Sequence, residues 1–306
     1  MATGFNVSSL TTYTKPATEF LTAALVYPDG FSKYDIQTNI QSTKRLSFLD
    51  ADPILQAYSC AMTSTGSTTF TDKTITVVAM GNKTPYCLNE LRAKDIVGEY
   101  GTGTGVANPT LGGVLLKENT DILAYKQEKM LWAGAIASGD LMDGWITEIL
   151  ADADCIGVSG AIPSATTIDN IIAEIIENIP EAVMASRQNI EIHLSQLYYN
   201  MYRANRIASN MYHDDPSNLG GKEMAVFGYP EITLVAEAGL VGKTTMVASW
   251  NKNFVIGTDQ VGEVASAKFV YVEAEATKND TVYLMASWKI GNTYKFSEEI
   301  VFYKVV

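Results

Sequence analysis

The stretch TTIDNIIAEIIENIP, residues 166–180, carries the clearest periodic pattern in the chain. Its isoleucines recur at the spacing of one helical face, at Ile168, Ile171, Ile172, Ile175, Ile176 and Ile179. Thr166 and Thr167 precede the pattern, and Pro180 ends it because proline cannot continue a helix. The stretch therefore predicts an amphipathic helix that packs on a core by one face.

The segment after this helix predicts a strand and then another helix. Residues 190–194 alternate apolar and polar side chains, as a half-buried strand does. Over residues 195–211 the spacing is helical again, with Leu197, Met201 and Ile207 at the apolar positions. The same region holds four tyrosines, for which packing in a core or at a subunit contact is the predicted role: Tyr198, Tyr199, Tyr202 and Tyr212.

The flanking regions predict strands and one further helix. Residues 36–96 are rich in β-branched side chains, with Thr74–Val78 as a strand candidate, and predict a long hairpin or protruding sheet. A glycine-rich connector at 98–113 leads to a helix predicted over 119–138. Beyond residue 222 the chain is rich in strand-forming residues again. The mixture predicts an α+β fold.

Composition points to assembly rather than to nucleic-acid binding. Of the 306 residues 47% are hydrophobic and only 18% are charged, which suggests that other chains cover part of the surface. The net charge is −12, and the chain has no cluster of Lys and Arg that would neutralise phosphates. No apolar run approaches a membrane span, and the first residues do not resemble a signal peptide. We therefore expect a protein without a membrane partner, made in the cytoplasm with reduced cysteines.

Motifs for catalysis or cofactor binding are weak. Gly239–Thr245 resembles a phosphate-binding loop, but the glycine that the pattern requires is replaced by Glu237, and a strand is predicted after it. His193 and His213 are the only histidines, and neither has metal-ligand spacing; His213 with the two aspartates after it is more typical of a solvated loop. We therefore predict no catalytic residues, no cofactor and no metal.

Several motifs in order resemble the major capsid protein of tailed bacteriophages. Ile179-Pro180, the strand at 190–195 and the helix after it are similar to a helix, proline, strand and helix sequence of that family. Phe227–Ile232 resembles the strand of the family that begins with Gly, an aromatic residue and Pro. Trp250–Asp259 is similar to its segment of Asn, apolar residues and Gly-Thr-Asp. The resemblance extends from about residue 30 to the C-terminus and is firmer after residue 168.

The resemblance implies the tailed-phage capsid fold, which has an N-terminal arm, an extended hairpin loop, a peripheral domain and an axial domain. The implied boundaries are 1–34 for the arm, 35–97 for the hairpin loop, 98–139 for the connector and spine helix, 140–245 for the axial domain and 246–306 for strands that return to the peripheral domain.

The implied function is structural: copies of the chain form pentamers and hexamers of an icosahedral shell around double-stranded DNA, bound without sequence specificity. Scaffold, portal and decoration proteins are possible partners, and the virion is the expected location. The candidate subunit contacts are apolar residues of the arm, basic residues of the hairpin and the aspartate of the last motif: Phe20, Leu21, Leu25, Lys44, Arg45, Lys73 and Asp259. For each basic residue, a solvated surface position is an equally good interpretation.

Three alternatives remain open at the level of sequence. One is another structural virion component, such as a tail or decoration protein; the order of strands and helices after Ile168 disfavours it, because those proteins are usually all-β. Encapsulins, which are bacterial protein cages, resemble the same architecture and differ in what they enclose. A nucleotide-dependent enzyme using Gly239–Thr245 is less favoured, because of Glu237 and the absence of a predicted helix after the loop.

Overall fold

The computed structural model describes residues 33–52, 67–87, 122–186, 189–209, 223–259, 268–272 and 281–306. The strands are β1 (Asp35–Gln37), β2 (Thr43–Asp52), β3 (Ser67–Thr76), β4 (Val78–Cys87), β5 (Ile156–Gly160), β6 (Ile190–Ser195), β7 (Glu223–Val226), β8 (Tyr229–Glu237), β9 (Met246–Trp250), β10 (Phe254–Thr258), β11 (Lys268–Val272), β12 (Thr281–Tyr294) and β13 (Val301–Val305). The helices are α1 (122–133), α2 (Trp145–Ala151), α3 (Ile168–Glu177), α4 (Glu181–Ser186) and α5 (Gln196–Ala208). The fold is α+β, as the sequence predicts.

The first sheet, called sheet 1 below, is built around the long strand β12. One edge of β12 pairs antiparallel with β4, and its other edge pairs antiparallel with β10 and β11. Strand β1 pairs parallel with β10. Sheet 1 therefore combines strands that are far apart in sequence, from β1 near the start of the described chain to β12 near its end.

The second sheet, called sheet 2, has the strand order β5-β13-β9-β6-β8-β7. Helix α5 connects the parallel strands β6 and β8, because parallel neighbours need a crossover connection. On one face of the sheet, α3 and α5 form an apolar core with Ile192, Leu234 and Val301. On the other face, Val247 and Phe302 belong to a different core. Sheet 2 is thus buried on both faces.

Aromatic side chains fill the core between the two sheets. Trp132 from α1, Trp145 from α2 and Phe254 from β10 meet with ring centroids 5.0 to 5.4 Å apart. Tyr34, just before β1, joins them at 5.2 Å from Trp145. Large rings at these distances contribute both buried area and favourable edge contacts, so this cluster holds α1, α2 and sheet 1 together.

The helix at 168–177 confirms the prediction from the isoleucine pattern. Ile168, Ile171, Ile172, Ile175 and Ile176 are all buried, and the helix ends before Pro180. The predicted helix over 119–138 is wrong at its end, because α1 stops at residue 133 and residues 136–138 form a separate turn. Residues 119–121 lie outside the described ranges.

Close backbone contact explains the end of α1. The amide of Gly134 donates to the Met130 carbonyl at 3.0 Å, and the Gly144 amide donates to the Gly134 carbonyl at 2.9 Å. A Cβ added to Gly134 would lie 2.5 Å from the Met130 oxygen, and one added to Gly144 would lie 2.7 Å from the Gly134 nitrogen. Only glycine fits either position, so the chain turns here instead of continuing the helix.

Two predictions for residues 190–211 need correction. The strand is not half-buried: every residue of β6 is buried, because its polar side chains face the core between the sheets. In α5 the buried residues are Tyr198, Tyr199 and Tyr202, as expected for the tyrosines. Of the three predicted apolar positions, Met201 is partly buried against the same core, whereas Leu197 and Ile207 are 58% and 50% exposed. The tyrosines are larger, and their burial sets the orientation of the helix.

The predicted hairpin region contains the antiparallel pair β2–β3, called the hairpin below, while β1 and β4 of the same region lie in sheet 1; the boundaries 35–97 stay a prediction. The strand candidate Thr74–Val78 covers the junction of two strands, β3 and β4, with Val77 between them. The Val77 amide donates to the Ser42 carbonyl at 2.8 Å, which closes the base of the hairpin. One continuous segment therefore passes from the hairpin into sheet 1.

Strands of the last segment, 246–306, are divided between the two sheets. β10 and β12 lie in sheet 1, but β9 pairs with β6 and β13, and β13 also pairs with β5, in sheet 2. The pattern of side chains along one strand does not reveal its neighbours, so the sequence did not indicate this division. The assignment of the sheets to peripheral and axial domains stays a prediction.

We predict that Gly144→Ala destabilises the fold by about 1–3 kcal/mol, the usual cost of forcing a group into a filled space. The added methyl group would contact the backbone of Gly134 and Met130, which cannot move without disturbing α1. Urea unfolding followed by tryptophan fluorescence measures the change. Ala137→Ser, at an exposed position of the same loop, is the control, and an equal loss in both variants would contradict the explanation.

Candidate functional site

The β2–β3 hairpin presents a polar and partly apolar outer face. Its inner residues Leu46 and Ile75 are buried. On the outer face, the Arg45 guanidinium pairs with the Asp72 carboxylate, and Ser47 donates to the same carboxylate. Phe70 on this face is 73% exposed. An aromatic side chain this exposed is suited to contact another surface.

The base of the hairpin is attached to the body by a charged group. Lys73 Nζ lies 3.3 Å from Asp152 Oδ2, at the end of α2, and 4.8 Å from the ring centre of Tyr294. The Tyr294 hydroxyl donates to the same oxygen at 2.7 Å. Burial works against ionisation, but these hydrogen bonds and the Lys73 charge hold the pKa of Asp152 below its usual value. The ion pair fixes the orientation of β3 on α2.

Two titratable groups of α2 and the loop after it lie close to this ion pair. Burial, and next the nearby Asp143 carboxylate, raise the pKa of Glu148 to about 8, against the opposing charge of Lys73. Burial also raises the pKa of Cys155 to about 12, which keeps this free thiol protonated and unreactive. At neutral pH Glu148 is therefore mostly uncharged.

A cluster of polar side chains is enclosed between the two sheets; we call it the buried polar centre, and it consists of Tyr34, Glu191, His193 and Glu237. His193 is 0% exposed, and its Nδ1 lies 2.9 Å from Glu237 Oε1. The Tyr34 hydroxyl donates to the same oxygen at 3.1 Å. Glu191 Oε1 accepts from Asn251 Nδ2 at 2.9 Å. Charged groups in such a site need close partners.

The electrostatics of the buried polar centre depend on these partners. Burial opposes ionisation of Glu237. Hydrogen bonds from His193 and Tyr34, together with the positive charge of Lys33, nevertheless hold the pKa of Glu237 below its usual value. Burial and then the charges of Glu237 and Glu191 raise the pKa of Tyr34 well above normal, so its hydroxyl remains a donor. The Nε2 atom of His193 and the Oε2 atom of Glu191 have no hydrogen-bond partner within the described residues.

Sequence reasoning missed the buried polar centre. Its members come from β6, the end of β8 and the residue before β1, which are separated by up to 203 positions between Tyr34 and Glu237. The alternation in residues 190–194 suggested a solvent-facing side, and only the presence of a histidine between two apolar residues hinted at another role. Tyr34, His193 and Glu237 are all buried, and Glu237 binds the other two.

The loop at 239–245 lacks the features of a nucleotide site. Residues 238–240 form a short 3₁₀ turn, and the strand β9 begins at Met246, as the sequence predicts. Glu237, which occupies the position of the missing glycine, is engaged with His193. His213 and the two aspartates after it lie outside the described residues. Within the described part of the chain, no three His, Cys, Asp or Glu side chains are grouped to hold a metal ion.

The four predicted contact residues that the structure describes all have partners in their own chain. Arg45 and Lys73 form the ion pairs given above, and Asp259 Oδ2 lies 3.0 Å from Lys289 Nζ. Lys44 is exposed and donates to Gln37 Oε1 at 3.2 Å. Phe20, Leu21 and Leu25 lie outside the described ranges. Contact of any of these residues with another subunit stays a prediction.

Known structures with the same fold come from virus-like shells. A capsid of a native GTA particle matches with a TM-score of 0.58 and 12% identity, over 93% of this chain and 90% of that one. The capsid of Myoviridae phage XM1 matches with a TM-score of 0.55 and 11% identity, over 92% of each chain. A virus-like particle from Pyrococcus furiosus matches with a TM-score of 0.54 and 11% identity, over 95% of this chain and 99% of that one.

The chain has the tailed-phage capsid fold. Because the matches cover nine tenths or more of both chains, the likeness concerns the whole capsid subunit rather than one shared domain. No family model matches the sequence, and no curated protein does. The fold is therefore retained at identities of 10 to 13%, where packing requirements persist and individual side chains do not. No helix within the described ranges is long and apolar enough to cross a membrane.

We predict that Glu148→Gln stabilises the subunit at alkaline pH. A carboxyl whose folded pKa is about 8 contributes stability below its unfolded pKa of about 4.5, and this contribution is lost as the pH rises through 8. At about 1.4 kcal/mol per pKa unit, the advantage of glutamine grows to a few kcal/mol by pH 9.

Urea unfolding at pH 5, 7 and 9 tests this prediction. The exposed Glu177→Gln on α3 is the matched control and is expected to change little. If the wild type and Glu148→Gln lose stability in parallel between pH 5 and 9, the proposed environment of Glu148 is wrong.

Proposed function

We propose that the protein is a structural major capsid protein, which assembles into the pentamers and hexamers of an icosahedral shell. The observation that carries this proposal is the likeness of the whole chain to the GTA and phage XM1 capsids, over nine tenths of both chains in each case. The chains that it resembles are subunits of capsids, in which identical copies meet at repeated interfaces.

Exposed apolar side chains are distributed over the subunit, as a shell with several kinds of contact requires. Large residues with at least half of their surface exposed occur on the hairpin, on the loop before α2, after β5, on α5 and after β13: Phe70, Ile136, Leu141, Ile162, Leu197, Ile207 and Val306. Isolated apolar residues are common on any protein. In a ring of five or six copies, however, each such contact is repeated, and many weak contacts add to a stable shell.

No catalysis is needed for this function. His193 and Glu237 are both buried and bind each other. The enclosed cargo would be double-stranded DNA held without sequence specificity, because a net charge of −12 limits adhesion to phosphates. The proposed location is the virion, after synthesis in the host cytoplasm.

Scaffold, portal and decoration proteins are further proposed partners. One of the similar structures is described as a satellite phage P4 procapsid including a size determination protein, at 10% identity and a TM-score of 0.57. That description supports a search for a scaffold-like partner of this chain. The protein-cage alternative has the same fold, and the likeness to the Pyrococcus furiosus particle is compatible with it.

We expect the chain expressed alone to form closed shells, or rings of five or six subunits, in negative-stain electron microscopy and mass photometry. Nuclease-protected DNA in shells from infected or lysogenic cells would favour the phage capsid, and co-purified protein cargo would favour the cage. A monomer at every concentration and salt, even with a scaffold-like partner added, would contradict the proposal.

Phe70→Ser is predicted to reduce assembly at least tenfold without loss of subunit stability, since Phe70 is 73% exposed and its removal leaves no cavity. The control is Phe70→Leu, which keeps an apolar side chain at the same exposed position and is expected to assemble like the wild type. Light scattering during assembly and urea unfolding of the subunit separate the two effects. Unchanged assembly of Phe70→Ser would show that the outer face of the hairpin does not contact a neighbour.

A further inference from the structure

Two helical surfaces of the subunit expose charges of opposite sign. On α1, Lys126 and Lys129 lie one turn apart on the exposed side of the helix, which we call the basic face. On α3, Glu174 and Glu177 lie one turn apart on the side opposite the buried isoleucines, and Glu181 follows at the start of α4. These three exposed glutamates form a surface that we call the acidic face.

Neither face is neutralised by the described part of its own chain. The three glutamates of the acidic face form no ion pair there, and their carboxylates accept no hydrogen bond from a described residue. Other basic side chains do engage acids of the same chain, and Lys126 and Lys129 are not among them: Lys33, Arg45, Lys73, Arg206, Lys289 and Lys295. The charges of both faces are therefore available to another molecule.

Sheet 2 separates the two faces. The isoleucines of α3 share a core with Ile192 of β6 on one side of this sheet. Leu131 and Trp132 of α1 share a core with Val247 of β9 on the other side. One subunit cannot pair its own two faces across the sheet, whereas a contact that closes a ring joins two different surfaces of identical copies.

The partner that best fits the basic face is a second copy of the chain. The chain has 34 acidic and 22 basic residues, so its copies repel each other unless basic side chains of one meet acidic side chains of the next. Two apolar side chains accompany the lysines on α1, Ile122 and Tyr125, which are 48% and 43% exposed. A neighbouring protein surface can cover these side chains, whereas the phosphates of DNA cannot.

We propose that the basic face of α1 contacts the acidic face of α3 and α4 in the adjacent copy of the chain. This inference rests on the proposed assembly into rings and names two of the surfaces that meet in them. Exposed ion pairs add little affinity. The two faces therefore act mainly by accelerating and orienting the encounter of two copies, while apolar contacts hold the assembled shell.

Charge reversal in the full-length chain tests the contact, with assembly followed by light scattering and electron microscopy. One variant combines Lys126→Glu with Lys129→Glu, and a second combines Glu174→Lys with Glu177→Lys. In low salt we expect each to assemble about tenfold more slowly than the wild type, because like charges then meet. High salt should reduce both effects by screening. A third variant carries all four changes, and its rate should return to within about threefold of the wild type because opposite signs meet again.

Matched controls reverse two exposed charges elsewhere and change the net charge by the same amount. Lys83→Glu with Lys304→Glu is the control for the basic face, and Glu231→Lys with Glu298→Lys is the control for the acidic face. Both should assemble faster than the corresponding test variant. Urea unfolding of each subunit checks that the folded state is equally stable.

The decisive outcome is the variant with four changes. If it assembles as slowly as the variants with one reversed face, the two faces do not meet and the inference is wrong. The inference is also wrong if reversal on α1 leaves assembly unchanged and only reduces the DNA held in the shells, since the basic face then contacts nucleic acid. A wild type that forms neither shells nor rings contradicts the proposed function, and this inference with it.

Discussion

Strand β6 is packed on both of its faces, and most of the architecture depends on this constraint. Its isoleucine and leucine side chains meet α3 and α5, while Glu191 and His193 point into the core between the sheets. Polar groups in such a place are tolerated only when others pair with them. Glu237 and Asn251, from the segment around β8 and β9, and Tyr34, from just before β1, supply those partners. Hydrogen bonds, as well as buried apolar area, therefore determine which segments pack against β6.

The hairpin is held by a different balance of forces. Its inner side chains Leu46 and Ile75 join Ile40, Val77 and Val255 in a small apolar core. The pair of Lys73 and Asp152 is partly exposed, and such pairs contribute about 0–1 kcal/mol. Burial of the aliphatic side chains thus anchors the base of the hairpin, and the ion pair sets its direction. The outer face retains the exposed Phe70 without cost to this anchor.

The sequence predicted elements whose pattern is local and failed where tertiary contacts decide. The isoleucine spacing at 168–179 and the stop at Pro180 can be recognised from the local sequence alone, and they predicted α3 correctly. The end of α1 depends on the approach of Gly144 to Gly134, ten residues away, which no periodicity reveals. The orientation of α5 was predicted from Leu197 and Ile207, whereas three tyrosines determine it. The buried polar centre combines residues up to 203 positions apart, so no local sequence pattern could predict it.

Charged residues that engage partners in their own chain are poor sources of strong contacts between subunits. Arg45 must break its ion pair with Asp72 before it can pair with another subunit, and Asp259 must likewise break its ion pair with Lys289. The net gain of such an exchange is small because one partly exposed pair replaces another. A shell built from this subunit would then depend on shape and on dispersed apolar contacts such as Phe70, repeated around each ring. Weak individual contacts also let misplaced subunits dissociate, which a closed shell of many identical copies requires.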